Sequence, residues 1–405
     1  MHITSIGRGR GRRLIIAAFL LTTAVSVSAQ PLTEAEAIER ALVQPELGEL
    51  GAANRAEAEA AVGAIRRFDN PEATLTRESV SGDERSETEW QIGVTQPIDI
   101  SGRRSSLRAA AQAEVGAVEA DTARRRQERI AQVRNAYVSC AASAEKVRIA
   151  DAFVERLREA ERIVNARANA GDAAVYDLRR LRVEARAAEA EAALQQGEAN
   201  ASCASLASLT GSPNARPTAS LDLIAMRPTT IMPARPDIVA REQRVSAAEQ
   251  RVRAAQRGRL PDLNVGVGLK QIEGDEGSTT GPVVSLGMRV PLFDGGGSAV
   301  RQAQARLRAE QAELALARRE IDATVAAAQA RSDAALEAAE RAQAAGDDAR
   351  RLGAIAEAAY QGGEVGIVEL VDAFRTARDA EMEIIERLER AVQARVVLEL
   401  AQGAL

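Results

Sequence analysis

The stretch Arg103–Ala170 contains no proline and repeats apolar residues every three or four positions, with Arg and Glu between them. That spacing is the amphipathic-helix pattern. At 1.5 Å per residue, one helix over this stretch is roughly 100 Å long. A rod of that length cannot hide its apolar face inside one compact domain; it needs other long helices beside it. The same periodicity predicts helices over about residues 33–67, 173–209, 235–258, 298–361 and 365–400. Aromatic residues make up only 2% of the chain, and Ala, Arg and Glu dominate. Small side chains of this kind let long helices approach closely.

Two islands, 72–100 and 262–293, break the helical pattern and alternate with a period of two, the strand signature. In the first, Trp90, Ile92 and Val94 alternate with Gln91, Gly93 and Thr95. In the second, Leu263, Val265, Val267 and Leu269 alternate with Asn264, Gly266 and Gly268, and Val284, Leu286, Met288 and Val290 alternate with Ser285, Gly287 and Arg289. Each island reads as two strands around a polar tip, residues 81–85 in one and 273–277 in the other. Strands with one apolar and one small or polar face suit a barrel with lipid outside and water inside. On that reading Trp90, Ile92, Val94, Val265, Val267, Leu286 and Met288 face lipid, and Gln91, Asn264, Ser285 and Arg289 face the lumen. A pair of soluble hairpins on a helical body is the alternative.

The islands belong to a repeat. Pro45-Glu46 recurs as Pro236-Asp237, 191 positions later. Asn70-Pro71-Glu72 and Leu260-Pro261-Asp262 open the two islands, and Gln96-Pro97-Ile98-Asp99 and Val290-Pro291-Leu292-Phe293-Asp294 close them. Gly171 and Gly363, each in a break between long helices, are 192 apart. Landmarks recurring in order at one near-constant offset indicate a tandem duplication. Residues 30–218 form the first unit, with a β-hairpin at 72–100 and a helical hairpin at 103–209. Residues 219–405 form the second, with a β-hairpin at 262–293 and a helical hairpin at 298–400. Four strands cannot close a barrel, and lipid does not tolerate open sheet edges. Several copies must therefore pool strands, and three give twelve.

Residues 1–29 read as a secretory signal. Arg8, Arg10, Arg12 and Arg13 precede an apolar run over 14–27, and Val27-Ser28-Ala29 supplies small residues for cleavage before Gln30. A single N-terminal membrane anchor is the alternative. Removing those four arginines takes the net charge from −5 to −9. An acidic chain of this kind argues against nucleic acid as a partner. The one histidine, His2, leaves with the signal, so the mature chain has no imidazole for a triad or a metal site. Two cysteines cannot make a four-thiolate zinc site. The expectation is therefore no enzyme, no cofactor and no resident metal.

The duplication, the proline-bounded hairpins and the two glycine helix turns resemble the TolC family of outer-membrane efflux proteins over almost the whole mature chain. Gln44-Pro45-Glu46-Leu47, Asn70-Pro71-Glu72 and Gln96-Pro97-Ile98-Asp99-Ile100-Ser101-Gly102-Arg103-Arg104 are most similar to the outer-membrane components of cobalt–zinc–cadmium efflux systems. The resemblance implies a mainly α homotrimer with a 12-stranded barrel, four strands per chain, on a long coiled-coil periplasmic tunnel. It implies a passive exit duct in outer-membrane lipid, fed by an inner-membrane transporter and a periplasmic adaptor (membrane fusion) protein, with heavy-metal cations as candidate cargo. It places adaptor docking at the helix-turn tips Gly171, Asp172, Gly362 and Gly363. It places a periplasmic gate at Glu369 and Asp372, with Tyr360 and Asp177 holding the tips together and Val365 where the family has a basic latch. Simple helix caps, a solvated helix face and a packed aromatic are the corresponding plain readings. A periplasmic adaptor or structural coiled coil is the rival assignment, although adaptors usually carry a single helical hairpin.

Cys140 lies 31 residues before Gly171, and Cys203 lies 31 residues after Asp172. Antiparallel helices leaving that turn bring the two level, with small neighbours Ser139, Ala141, Ser202 and Ala204. Export to an oxidising compartment then favours a disulfide. Two buried free thiols are the alternative.

Overall fold

A computed structural model describes residues 30–66, 68–82, 86–171, 174–213, 215–218, 235–275, 277–290, 293 and 295–405. The signal segment 1–29, the tip residue Asp172, and residues 83–85 and 276 of the strand tips lie outside the described residues.

The chain runs β1 (Gln30–Leu32), α1 (Glu34–Leu42), α2 (Pro45–Ala64), β2 (Glu72–Ser81), β3 (Ser86–Ile98), α3 (Arg103–Ala170), α4 (Val175–Thr210) and β4 (Ala215–Pro217). It continues with α5 (Pro236–Arg257), β5 (Asp262–Gly274), β6 (Gly277–Arg289), α6 (Gly297–Gly362) and α7 (Ile367–Gln402). Local chemistry explains the boundaries. Thr33 caps α1 in a capping box with Glu36. Pro45 and Pro236 each start a helix, where a missing N–H costs nothing. The helical run expected over 33–67 is therefore two helices, because Pro45 cannot continue α1. The long helices α3 and α6 both begin after a left-handed glycine, Gly102 (φ 72°) and Gly296 (φ 68°), and both end on one, Gly171 (φ 85°) and Gly363 (φ 78°).

The helices form four rods. α3 is one rod and α6 another. α4 and α2 join end to end, with Gln44 Nε2 donating to the Leu209 carbonyl at 2.8 Å. α7 and α5 join likewise, with Arg235 donating to the Ala401 carbonyl. α3 packs against α2, α4, α5 and α7, while α6 packs against α5 and α7. The rod order is α4/α2, α3, α7/α5, α6, which leaves α4/α2 and α6 as the outer edges. Above the rods stands a four-stranded antiparallel sheet in the order β2-β3-β5-β6. α2 runs up into β2 and β6 runs down into α6, so the outer rods continue as the outer strands.

Where the rods break, a belt of packing and polar contacts holds the halves. β1 pairs in parallel with β4, an association that the sequence reading did not contain. Leu32 is fully buried beneath it, and Tyr137 donates to its carbonyl at 2.9 Å. Arg134 of α3 reaches both Glu34 of α1 and Glu399 of α7. One apolar core lies at this belt around Val133, Tyr137 and Val138, and a second lies towards the helix tips around Phe153, Leu157, Leu181 and Phe374.

Candidate channel wall and periplasmic entrance

In an antiparallel sheet, residues directly opposite one another point to the same face. Ile92 pairs with Leu75 and Leu269, Val94 with Val267, Val267 with Val284, Val265 with Leu286, and Leu263 with Met288. These residues form one continuous apolar face, and Trp90 lies on it with the Arg77 guanidinium 5.1 Å from its ring centre. Gln91, Asn264, Ser285 and Arg289 lie on the opposite face, with Thr95, Lys270 and Glu89. On that face Lys270 pairs with Glu89 at 2.6 Å. The alternation has exceptions: Gln96, Arg77 and Gln271 lie on the apolar side, and Val283, Ile272 and Val80 on the polar side.

The apolar face is bare in the single chain: Val267 is 62% exposed and Val284 79%. A stable soluble domain does not leave such a face to water. The polar face is crowded. A Cβ on Gly266 would lie 2.2 Å from Ser285 Oγ, and one on Gly268 would lie 2.5 Å from the Ile92 carbonyl oxygen. Glycine at these points lets the neighbouring strands approach closely on the polar side. No described helix is long and apolar enough to cross a membrane.

At the foot of the sheet, Asp99 organises the start of α3. Its carboxylate accepts from Ser101 N and Oγ and from Arg104 N. Burial pushes the Asp99 pKa up, but these hydrogen bonds outweigh it and hold the group below the usual carboxylate range. Arg104 also pairs with Asp69.

At the far end, Gly171 caps α3 and Gly363 caps α6, with Gly362 the last residue of α6. Tyr360 is half-buried against the lower core, with the Arg167 guanidinium 5.9 Å from its ring centre. Burial raises the Tyr360 pKa; Arg167 opposes this and the charge of Asp177, in the first turn of α4, adds to it. Three helix ends thus converge through Arg167, Asp177 and Tyr360. Glu369 and Asp372 sit apart from this group, exposed on one side of the first turns of α7. A Cβ on Gly366 would lie 2.8 Å from Glu369 Oε2, so glycine leaves room for that carboxylate at the helix start. Val365 is half-buried between the two helices.

The sequence reading missed the contacts that tie the two helical hairpins together. Arg375 of α7 pairs with Glu184 of α4, a contact between the second helices of the two repeats. Arg378 lies 4.6 Å over the Phe153 ring. Lys146 of α3 faces Glu386 and Glu389 of α7 at 3.8 and 3.7 Å. No signal in the sequence marks these pairs, because their partners lie on helices far apart in the chain. Cys140 and Cys203 are joined as a disulfide between α3 and α4, their Cα atoms 4.7 Å apart. Among the described residues, no three His, Cys, Asp or Glu side chains converge to hold a metal ion.

Comparison with known proteins agrees with this geometry. The family model for outer membrane efflux proteins matches twice in tandem, over residues 34–212 and 230–404. The nickel-cobalt-cadmium resistance protein NccC of Alcaligenes xylosoxydans xylosoxydans is 26% identical over 267 residues, 64% of this chain. The match spans 59% of the length of that curated relative. A membrane protein from Pseudomonas aeruginosa superposes with a TM-score of 0.75 at 22% identity, covering 91% of this chain and 92% of the other. The outer membrane protein VceC of Vibrio cholerae does so with a TM-score of 0.75 at 21% identity, covering 92% and 96%.

Proposed function

Because this chain belongs to the outer membrane efflux protein family, we propose that three copies assemble into one passive duct. It is an outer-membrane channel whose helical part stands in the periplasm. In the duct, the sheets form a twelve-stranded barrel and the rods form a helical tunnel beneath it.

The observation that carries this reading is the four-stranded sheet with one bare apolar face and two open edges, standing on rods that end in the same open edges. In lipid the apolar face is satisfied, but the unpaired edges of β2 and β6 are not. Pairing β2 of one copy with β6 of the next removes both, and three copies reach a barrel size known for membranes. The polar face then lines the pore. Substrate passes through without a chemical step, so energy and most selectivity come from an inner-membrane transporter coupled through a periplasmic adaptor. The tips at Gly171, Asp172, Gly362 and Gly363 are the docking points for that adaptor. Glu369 and Asp372 form the acidic ring of the periplasmic gate, and Tyr360 and Asp177 help to hold it closed. The similarity to a nickel, cobalt and cadmium resistance protein supports heavy-metal cations as cargo.

Purified from outer membranes, the protein should run as a trimer that heating converts to monomer, and it should conduct ions in planar bilayers. A monomer without conductance would overturn the duct. A host lacking its own channel, given this chain with its neighbouring pump and adaptor, should gain tolerance to cobalt, zinc or cadmium; a gain for organic toxicants alone would overturn the metal assignment.

A further inference from the structure

Where the strands meet the rods, four connectors cross the foot of the sheet: 65–71 from α2 to β2, 99–102 from β3 to α3, 258–261 from α5 to β5 and 290–296 from β6 to α6. Each bares a large apolar side chain. Phe68 is 51% exposed, Ile100 59%, Leu260 53% and Phe293 103%. Ile100 follows Ile98, and Val290 follows Met288, at the strand spacing of two, so the apolar face of the sheet runs on into the connectors. Arginine crowds the same places. Over 64–72, 98–108, 253–262 and 288–301, the connectors and their flanking turns carry ten arginines against five carboxylates, in a chain whose net charge is −5. The other end of the sheet is acidic, with Glu78, Glu87 and Glu273 exposed.

The arginines of the foot fall into two groups. A cavity of about 370 Å³ opens on the polar side, where Asp262, Asn264 and Arg289 lie, and takes Arg103 and Arg104 into its wall. Arg66, Arg257 and Arg259 are exposed and form no part of that wall. Among the described residues no ion pair engages any of these three, whereas Arg104 pairs with Asp69. Backbone carbonyls hold two of them in place: Arg257 Nη1 donates to Gly102 at 2.8 Å, and Arg259 Nε donates to Gly295 at 2.8 Å. Arg259 therefore keeps its two terminal nitrogens, the fork that grips a phosphate through paired hydrogen bonds. Ile100 and Leu260 belong to the two middle connectors, away from the open edges of the sheet.

We propose that Arg66, Arg257 and Arg259 form a collar that binds the headgroups of anionic phospholipids in the periplasmic leaflet, with the acyl chains lying along Ile100, Leu260 and the apolar face above them. This rests on the sheet standing in the outer membrane and adds the lipid that it selects. The fit is complementary on both counts. Apolar side chains bared to water are covered by acyl chains, and long arginine side chains reach from an apolar connector to the level of the phosphates. A zwitterionic headgroup carries an ammonium that offsets this attraction, so lipids of net negative charge are preferred. The acidic far end of the sheet repels such lipids, so the collar fixes which end of the sheet they surround.

Native mass spectrometry of the purified protein in detergent, titrated with phosphatidylglycerol or phosphatidylethanolamine, tests this. The wild type should retain phosphatidylglycerol in preference to phosphatidylethanolamine. Arg66→Gln, which removes a side chain with no hydrogen bond among the described residues, should weaken phosphatidylglycerol binding roughly fivefold, the worth of one arginine beside an anionic lipid surface. Arg257→Gln with Arg259→Gln should weaken it further. Arg103→Gln with Arg289→Gln removes two charges from the polar side and should leave it unchanged. Inorganic phosphate should not compete, since it lacks the chains that seat on Ile100 and Leu260. Equal retention of the two lipids by the wild type, equal weakening by the polar-side pair, or full competition by phosphate would overturn the collar and leave the duct standing. Failure of the wild type to insert into vesicles of either lipid would overturn the membrane placement itself.

Discussion

The Cys140–Cys203 bridge ties α3 to α4 across a sequence separation of 63. Closing a loop of that size stabilises by about 4 kcal/mol in the chain-entropy model. Protein denatured without reductant should take up no alkylating label at either cysteine; full labelling of both would rule the bridge out. Arg134 presents the opposite kind of tie, a charge held away from water between Glu34 and Glu399. Burial works against its charge, but the two carboxylates hold its pKa above the ordinary value. Glu399→Ala leaves Arg134 with a single partner and should cost about 3 kcal/mol, read as a lower midpoint in chemical denaturation; an unchanged midpoint would make the pair dispensable. Asp99 carries a pH signature. Its folded pKa is depressed, so its contribution is fully present above the unfolded value of about 3.9 and is lost as pH falls through the folded value. Asp99→Asn should lower stability at neutral pH and flatten the acid limb of a melting curve; parallel limbs for variant and wild type would remove Asp99 from the acid response.

At the scale of elements, the two faces of the sheet predict opposite responses to one substitution. Val267→Arg puts a charge on the apolar face and should cost roughly 2–4 kcal/mol near the bilayer midplane, while Asn264→Arg on the polar face should cost little. Cysteines at the same positions should differ with a membrane-impermeant reagent, 264 labelling and 267 not; equal strong labelling would place both in water. The period of two made these strands legible, and the period near 3.6 did the same for the long rods, because each pattern reports which side of one element is buried. What stayed hidden depends on partners far away in the chain. β1 is three residues long and exists only because β4 lies 185 positions on. The ion pairs of Arg134, Arg375 and Lys146 join helices whose neighbourhood no local pattern encodes. At the tips, Gly171 and Gly363 could be read from composition, since left-handed turns select glycine. Arg167 over Tyr360 could not, because any exposed arginine of α3 looks alike in sequence.

For the whole molecule, threefold symmetry turns single residues into rings. Glu369 and Asp372 lie on one exposed side of α7, just past a glycine turn, and make no ion pair among the described residues. On the trimeric reading proposed above, three copies would set six carboxylates around one axis at the narrow end of the tunnel. A ring of that charge draws cations, repels anions and gives divalent ions a place to linger. It does not choose the exported metal, since an open pore offers no fixed coordination shell. Changing both residues to Ala, with the trimer intact, should reduce cation selectivity and weaken block by divalent ions in planar bilayers. Export should survive wherever the adaptor still opens the tips, because the ring tunes the closed entrance and not the open duct. Single-channel recording under a salt gradient separates the cases. A reversal potential shifted towards zero with lost divalent block places the ring at the constriction. An unchanged reversal potential with unchanged block leaves Glu369 and Asp372 as a solvated helix face, and the constriction must then be sought at the helix ends around Arg167, Asp177 and Tyr360.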